Sequence, residues 1–350
     1  MKYFLFILWV LISVLSSKSQ TYCVYIQLTS TNFAYIDENG KILYSEDIDP
    51  LVNERIFPLK NGLGRIRRKG KFGYINHLGQ VVIPIIYDSA KDFEGGIAEV
   101  KIDNKWGYIN TKGELEIRPQ FETVNRFCEN LAAFSLNGRH GFINNEGKIV
   151  IIPMFDLVSN FFNNRAWVLV GDKWGAINKT GAFVFPLDYE AVCDFSEGYA
   201  WVKVGPHWGL IDSLNKYIIP LSERNNLVYG LSNKTNDFAQ VSNGLLISKA
   251  NNKVGYCSLP SLKKTIASKF DEGSEFEQGT AIVSIENKKG IIDTSGDYLS
   301  NLPYKEIKRI GDKNIFAVKQ EDKEWGLLDV TSNTFFPLPC KNIFYIEKIK

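Results

Sequence analysis

The sequence predicts an all-β fold of tandem β-meander repeats, each of about 34 residues, a length in the range of repeat arrays. Three observations lead there. The hexapeptide Lys105-Trp106-Gly107-Tyr108-Ile109-Asn110 returns in varied form along the chain, with evenly stepped glycines at 73, 107, 141, 175 and 209. A fixed period of that size marks a solenoid, propeller or array. Around each glycine, apolar and polar residues alternate with the period of two that a half-buried strand shows. Pairs of turn formers such as Asp103-Asn104, Asn137-Gly138 and Asn251-Asn252 divide the apolar runs, as tight hairpins require.

Each unit opens on a first strand, Gly96 to Lys101 in the best example, with alanine at 98, 132, 166 and 200, in step with the glycines. A small side chain required once per unit implies close approach of a neighbouring backbone or indole. The Trp-Gly stretch is the second strand, where glycine weakens the strand and needs a reason. Packing supplies one: the indole of one unit is expected over the bare backbone of another. A buried tryptophan covers roughly 150–250 Å² and at about 25 cal/mol per Å² contributes several kcal/mol. Asn110 and Gly113, with counterparts from Asn76 and Gly79 to Asp293 and Gly296, read as a hairpin turn in which Asn or Asp bonds its own backbone and glycine takes a positive φ. The third strand, at positions 81–84, 149–153 or 182–186, ends in a proline that suggests a sheet edge. The remainder, positions 87–93 and equivalents, is apolar at every third position and implies a bent link or a short fourth strand.

Later glycines stand at 255, 290 and 326, and the step from 209 to 255 is the widest. Its surplus falls between Pro220 and Gly244, a polar stretch read as a loop or corrupted unit. With a diverged unit at Ala34, nine units result, centred on 34, 73, 107, 141, 175, 209, 255, 290 and 326, in one array over positions 20–350. Closure stays open between an open β superhelix and a β-propeller-like ring. The period is short for a propeller blade, and positions 342–346 resemble a surplus first strand, which favours the open form.

The core Lys-Trp-Gly-Tyr-Ile-Asn, the glycine six positions on, the Ile-Pro, the Tyr/Phe-Asp/Glu and the Phe…Glu-Gly…Ala-x-Val frame resemble the WG-containing repeat family over nearly all of positions 30–340. The resemblance implies β-rich tandem repeats, frequent in bacterial proteins. It implies no family-wide activity and no catalytic residues.

The composition, 45% hydrophobic and 13% aromatic in 350 residues, suffices for a large core, and 23% charged residues suit a soluble surface. A net charge of +2 gives no reason to expect nucleic acid as the partner. The basic cluster Arg65, Arg67, Arg68, Lys69 and Lys71 reads as a solvated face. Lys2, an apolar run from Tyr3 to Leu15 and Ser17-Lys18-Ser19 read as an export signal over positions 1–19. Export to the periplasm, cell surface or medium is therefore expected, without stable membrane insertion afterwards. Five cysteines (23, 128, 193, 257 and 340) share no register, which argues against a disulfide scaffold or zinc site and for small buried hydrophobes.

The carboxylates Asp88, Glu122, Asp156 and Glu190 recur at one fixed offset after the glycine of each unit. Calcium ladders and glycosidase pairs both use carboxylates, but catalysis needs an asymmetric pair, and a group present once per unit is expected to accept turn amides. His77, His140 and His207 occupy different repeat positions and form no shared metal site. No cofactor is expected. Tyr108, Trp167, Tyr199 and Trp201 are the binding candidates, and Trp167 and Trp201, one repeat apart on equivalent strands, would stack on sugar rings or peptide side chains if exposed. The expected function is a non-catalytic binding or scaffold role toward a protein or glycan. The alternative is a secreted hydrolase drawing on diverged carboxylates such as Asp271 or Asp293.

Overall fold

The computed structural model describes residues 24–27, 32–36, 42–47, 54–221, 241–300, 304–310, 314–320 and 325–337. The expected export signal, positions 222–240 of the insertion and the surplus terminal strand lie outside them. Every regular element described is a β-strand, and the strands form nine small antiparallel sheets, one for each expected unit.

The Gly107 sheet shows how a unit is made. A short link strand, Ser89–Ala90, pairs with the first strand, Ile97–Ile102, through Ser89↔Lys101 and Ala90↔Val100. The first strand pairs with Lys105–Asn110 along its whole length, from Lys105↔Ile102 to Asn110↔Ile97. Asp103 and Asn104 join them with φ of 48° and 63°, a turn whose twist matches the strands. Asn110 Oδ1 then accepts from the amides of Lys112 (3.0 Å) and Glu114 (3.1 Å), and Gly113 sits at φ 82°. In the Gly209 sheet Asn215, at φ 64°, takes that glycine's place.

The third strand, Leu115–Phe121, forms the outer edge of the sheet. It does not stop at its proline, as expected from sequence. It runs through Pro119, and the pairs Trp106↔Phe121 and Tyr108↔Ile117 set a shorter span of the second strand against a longer span of the third. The surplus residues bulge over Gly107. A Cβ on Gly107 would lie 2.4 Å from Ile117 O and 2.6 Å from Pro119 N. The glycine is thus bare because its own unit's third strand crosses it, and the expected indole of another unit is corrected. Gly73, Gly141, Gly175 and Gly255 meet third-strand backbone in the same way.

Cores form between consecutive sheets. Tyr74, Ile83 and Tyr87 of the Gly73 sheet cluster with Ala90, Phe93, Ala98, Val100 and Ile109 of the Gly107 sheet. Tyr108, Ile117 and Phe121 meet Val124, Ala132, Phe134 and Ile143 in the same fashion. The recurrent alanine packs with the aromatic rings of the preceding sheet, which is why it is small. Where an aromatic follows the glycine, in the Gly73, Gly107, Gly141 and Gly255 sheets, it is a fully buried ring. Tyr74, Tyr108, Phe142 and Tyr256 are sealed from solvent, while Trp106, Trp174 and Trp208 are half-buried. These sealed rings meet a phenylalanine of the following link: Tyr74–Phe93 at 4.7 Å, Tyr108–Phe127 at 4.9 Å, Phe142–Phe161 at 4.7 Å and Tyr256–Phe276 at 4.9 Å between centroids. The three tyrosine hydroxyls donate to the link carbonyls of Lys91 (2.6 Å), Asn125 (2.7 Å) and Ser274 (2.8 Å).

The chain divides into two compact units, one holding the described residues up to Gly171 with Ile177–Phe183, the other Asp172–Ala176 and the described residues from Val184 on. In the first, the clusters just described continue through Phe142, Phe155, Phe161 and Val168. In the second, Leu210, Leu246, Tyr256, Ile266, Phe270 and Phe276 lead one cluster, and Ile291, Phe316 and Leu328 another.

Candidate functional site

The carboxylate ladder is structural, as its periodicity implied. Asp88 Oδ2 accepts from the Asp103 amide (2.9 Å), Glu122 from Asn137 and Gly138 (3.0 Å each), Asp156 from Gly171 (2.7 Å), Glu190 from Gly205 (2.8 Å) and Asp271 from Glu286 (2.7 Å). Each therefore caps the hairpin of the sheet that follows. In four of the five the other oxygen is taken by a cation just before the unit's own glycine: Lys71 to Asp88, Lys173 to Glu190 and Lys253 to Asp271, each at 2.5 Å, and Arg139 to Asp156. The second hydrolase candidate, Asp293, accepts from the amides of Ser295, Gly296 and Asp297 in its own turn. Among the described residues, no three His, Cys, Asp or Glu side chains gather where they could hold a metal ion.

Hydrogen bonds from Lys71, Lys173 and Lys253 hold Asp88, Glu190 and Asp271 below the usual carboxylate range, and the Gly138 amide does the same for Glu122. A carboxyl whose folded pKa is depressed stabilises the fold above its unfolded pKa of about 4, and that contribution is lost as pH falls through the folded value. Hydrogen-exchange protection of the capped hairpins is expected to fade below about pH 4. Glu122→Gln should flatten this dependence at residues 137–138, and an unaltered profile there would count against the cap.

The basic cluster is only in part the solvated face expected: Lys69 and Lys71 are exposed, whereas Arg65, Arg67 and Arg68 are half-buried. Arg65 lies 3.2 Å from Asp92, donates to Ala90 O at 2.6 Å and stacks 4.0 Å over the Phe57 ring. Arg68 pairs with Glu46 at 2.6 Å, and Lys71 is held by Asp88. Burial lowers the His140 pKa. Cys257 is buried, as expected, while Cys128 and Cys193 are half-buried, and burial pushes the Cys193 thiol up to about 12. Cys23 and Cys340 lie outside the described residues.

The aromatic candidates require a correction. Trp167 and Trp201 are 2% and 3% exposed, Tyr108 is sealed at 0%, and Tyr199 is half-buried. Trp201 belongs to the cluster of Leu210 and Val241. Three consecutive residues are buried in each of these first strands, 166–168 and 200–202, so both faces of the strand are covered. Even Glu99, at the position equivalent to Trp167 and Trp201, is only 4% exposed, and Lys91 reaches it at 3.4 Å.

Most of the exposed large hydrophobic residues lie on the third strands. Their shared burial pattern turns alternate residues outward. In the Gly107 sheet these are Leu115, Glu116, Arg118 and Gln120, but in the Gly141 sheet they are Ile149, Val150, Ile152 and Met154, the third of them 65% exposed. Val81, Val82 and Ile86 make a similar row on the Gly73 sheet. In the second compact unit, Tyr217 and Tyr298 are 37% and 43% exposed. Each covers its own unit's glycine, with ring atoms 2.8 and 2.7 Å from where a Cβ would stand on Gly209 and Gly290. The uninterrupted apolar run at 149–152 was the signal in the sequence, and reading the third strand as ending at its proline concealed Met154.

Repeated sheets, a shared core frame and one capping ladder define a tandem β-meander repeat protein. Four consecutive segments, residues 72–106, 106–139, 141–174 and 174–205, match the model of the WG containing repeat. Among solved structures, the crystal structure of the eukaryotic initiation factor is 8% identical over 95% of this chain and 98% of its own, with a TM-score of 0.53, a likeness of fold alone. BamB from Moraxella catarrhalis is 11% identical over 86% and 93%, with a TM-score of 0.39. No curated protein matches the chain.

Proposed function

We propose that this chain is an exported, non-catalytic binding or scaffold protein, acting in the periplasm, at the cell surface or in the medium, and that it meets a protein or glycan partner through the outward faces of its third strands. The observation that carries the reading is the row Ile149, Val150, Ile152 and Met154, an uncharged apolar edge strand exposed on the Gly141 sheet. Long apolar edges are a liability that soluble proteins blunt with charge, and exposed apolar patches mark interaction sites. The third strand of the Gly107 sheet carries Glu116 and Arg118 at the corresponding positions, so the row is not obligatory for the repeat. The apolar segment from Tyr3 to Leu15 supports export. A non-catalytic role fits the carboxylates, each committed to a turn amide or a cation.

The purified chain should be probed against immobilised polysaccharides and extended peptides. Binding is expected to weaken by roughly tenfold or more, about 1.4 kcal/mol, when Ile152→Lys and Met154→Lys are combined, with the melting temperature unchanged. Binding indifferent to that pair of changes would reject the third-strand surface. Turnover of any polysaccharide, abolished by Asp271→Asn alone, would instead favour a hydrolase.

A further inference from the structure

We propose that Asn61 is a site of spontaneous deamidation, singled out because its hairpin lacks the carboxylate clamp that holds the other described Asn-Gly turns. The dipeptide occurs at 39–40, 61–62, 137–138 and 243–244, and the first pair lies outside the described residues. The other three share one backbone geometry: φ is 52° and 79° at Asn61 and Gly62, 51° and 71° at Asn137 and Gly138, and 54° and 69° at Asn243 and Gly244. Sequence and turn being equal, what differs is the partner of the amides. Glu122 accepts from both Asn137 N and Gly138 N, at 3.0 Å each. Glu197 accepts from Asn243 N and Gly244 N, at 2.8 Å each. Among the described residues no carboxylate bonds the amides of Asn61 or Gly62. Both residues are exposed, and a Cβ on Gly62 would meet nothing within 4 Å.

In the reaction, the Gly62 nitrogen attacks Asn61 Cγ and forms a C–N bond. The Cγ–Nδ2 bond breaks, and ammonia leaves with the proton that the Gly62 amide gives up, leaving a five-membered succinimide. Water then opens one of the two ring C–N bonds to give aspartate or isoaspartate. The sum is asparagine plus water to aspartate plus ammonia, with no oxidation or reduction. A following glycine favours the attack because it has no Cβ to obstruct ring closure. A carboxylate across both amides opposes it, since the attacking nitrogen must turn its proton away from that acceptor. Glu122 is also a poor base for removing the proton, because the Gly138 amide keeps it ionised to lower pH than usual. Isoaspartate would insert a methylene into the turn joining Arg55–Lys60 to Leu63–Arg68, the hairpin from which Arg65 reaches Ala90 O.

The test is incubation of the folded full chain at mildly alkaline pH and body temperature, with peptide mapping by mass spectrometry and enzymatic detection of isoaspartate. Asn61 is expected to convert roughly tenfold or more faster than Asn137 and Asn243, the rate equivalent of one hydrogen bond to a charged group. Glu122→Ala should raise the Asn137 rate toward that of Asn61 and leave Asn243 unmoved. Equal rates at the three sites in the unaltered chain, or faster conversion at Asn137, would overturn the proposal, as would a folded Glu122→Ala chain in which Asn137 stays slow. The unaltered chain alone decides the ranking if the variant does not fold.

Discussion

Gly107→Ala is expected to destabilise the Gly107 sheet by about 3 kcal/mol or more. The added methyl group would sit 2.4 Å from Ile117 O, 2.6 Å from Pro119 N and 2.8 Å from Arg118 C, all backbone atoms that no rotamer change can clear. The third strand would have to lift from the bulge, losing the pairs Trp106↔Phe121 and Tyr108↔Ile117 and with them the placement of Ile117 and Phe121 in the core. Gly138→Ala is the matched control. Gly138 needs its glycine only for a φ of 71°, with open space where the Cβ would go, so its cost should be about 1 kcal/mol. Hydrogen exchange resolves the two, because repeat arrays lose stability by neighbouring units rather than all at once. Protection should fall first in residues 97–121 and the adjoining sheets. Equal penalties for the two glycines would refute the bulge as the reason for the recurrent glycine.

The second large effect is expected at Tyr108. Tyr108→Ala removes a sealed ring from between two sheets, together with its contact to Phe127 and its hydrogen bond to Asn125 O, and should cost about 3–5 kcal/mol. Tyr108→Phe keeps the ring and loses the hydroxyl, at about 1 kcal/mol. Trp106→Ala, although it removes the larger side chain, should cost less than Tyr108→Ala, about 1–2 kcal/mol, because the indole is only half-buried. Denaturation midpoints of the three variants give the order directly. A costlier Trp106→Ala would restore the indole as the principal anchor of the unit.

The repeat, the strand content, both hairpin turns and the structural use of Asp88, Glu122, Asp156 and Glu190 were legible in the sequence. These follow from local rules. A turn demands Asn, Asp or Gly at fixed offsets, and a group that recurs once per unit meets the same neighbours each time. The small residue at 98, 132, 166 and 200 was legible for the same reason.

What the central glycine accommodates, which aromatic is sealed and which surface faces outward depend on how strands and sheets pack. The register shift between the second and third strands is a property of their pairing, and residues 117–119 carry no local mark that they will cross Gly107. Alternation likewise tells which residues share a face but not whether a second sheet covers it. Trp167 and Trp201 lie on strands covered from both sides and are core, whereas Ile152 and Met154 alternate in the same way on an edge strand and remain exposed. Burial belongs to the stacking of sheets, which the period of a single strand does not encode.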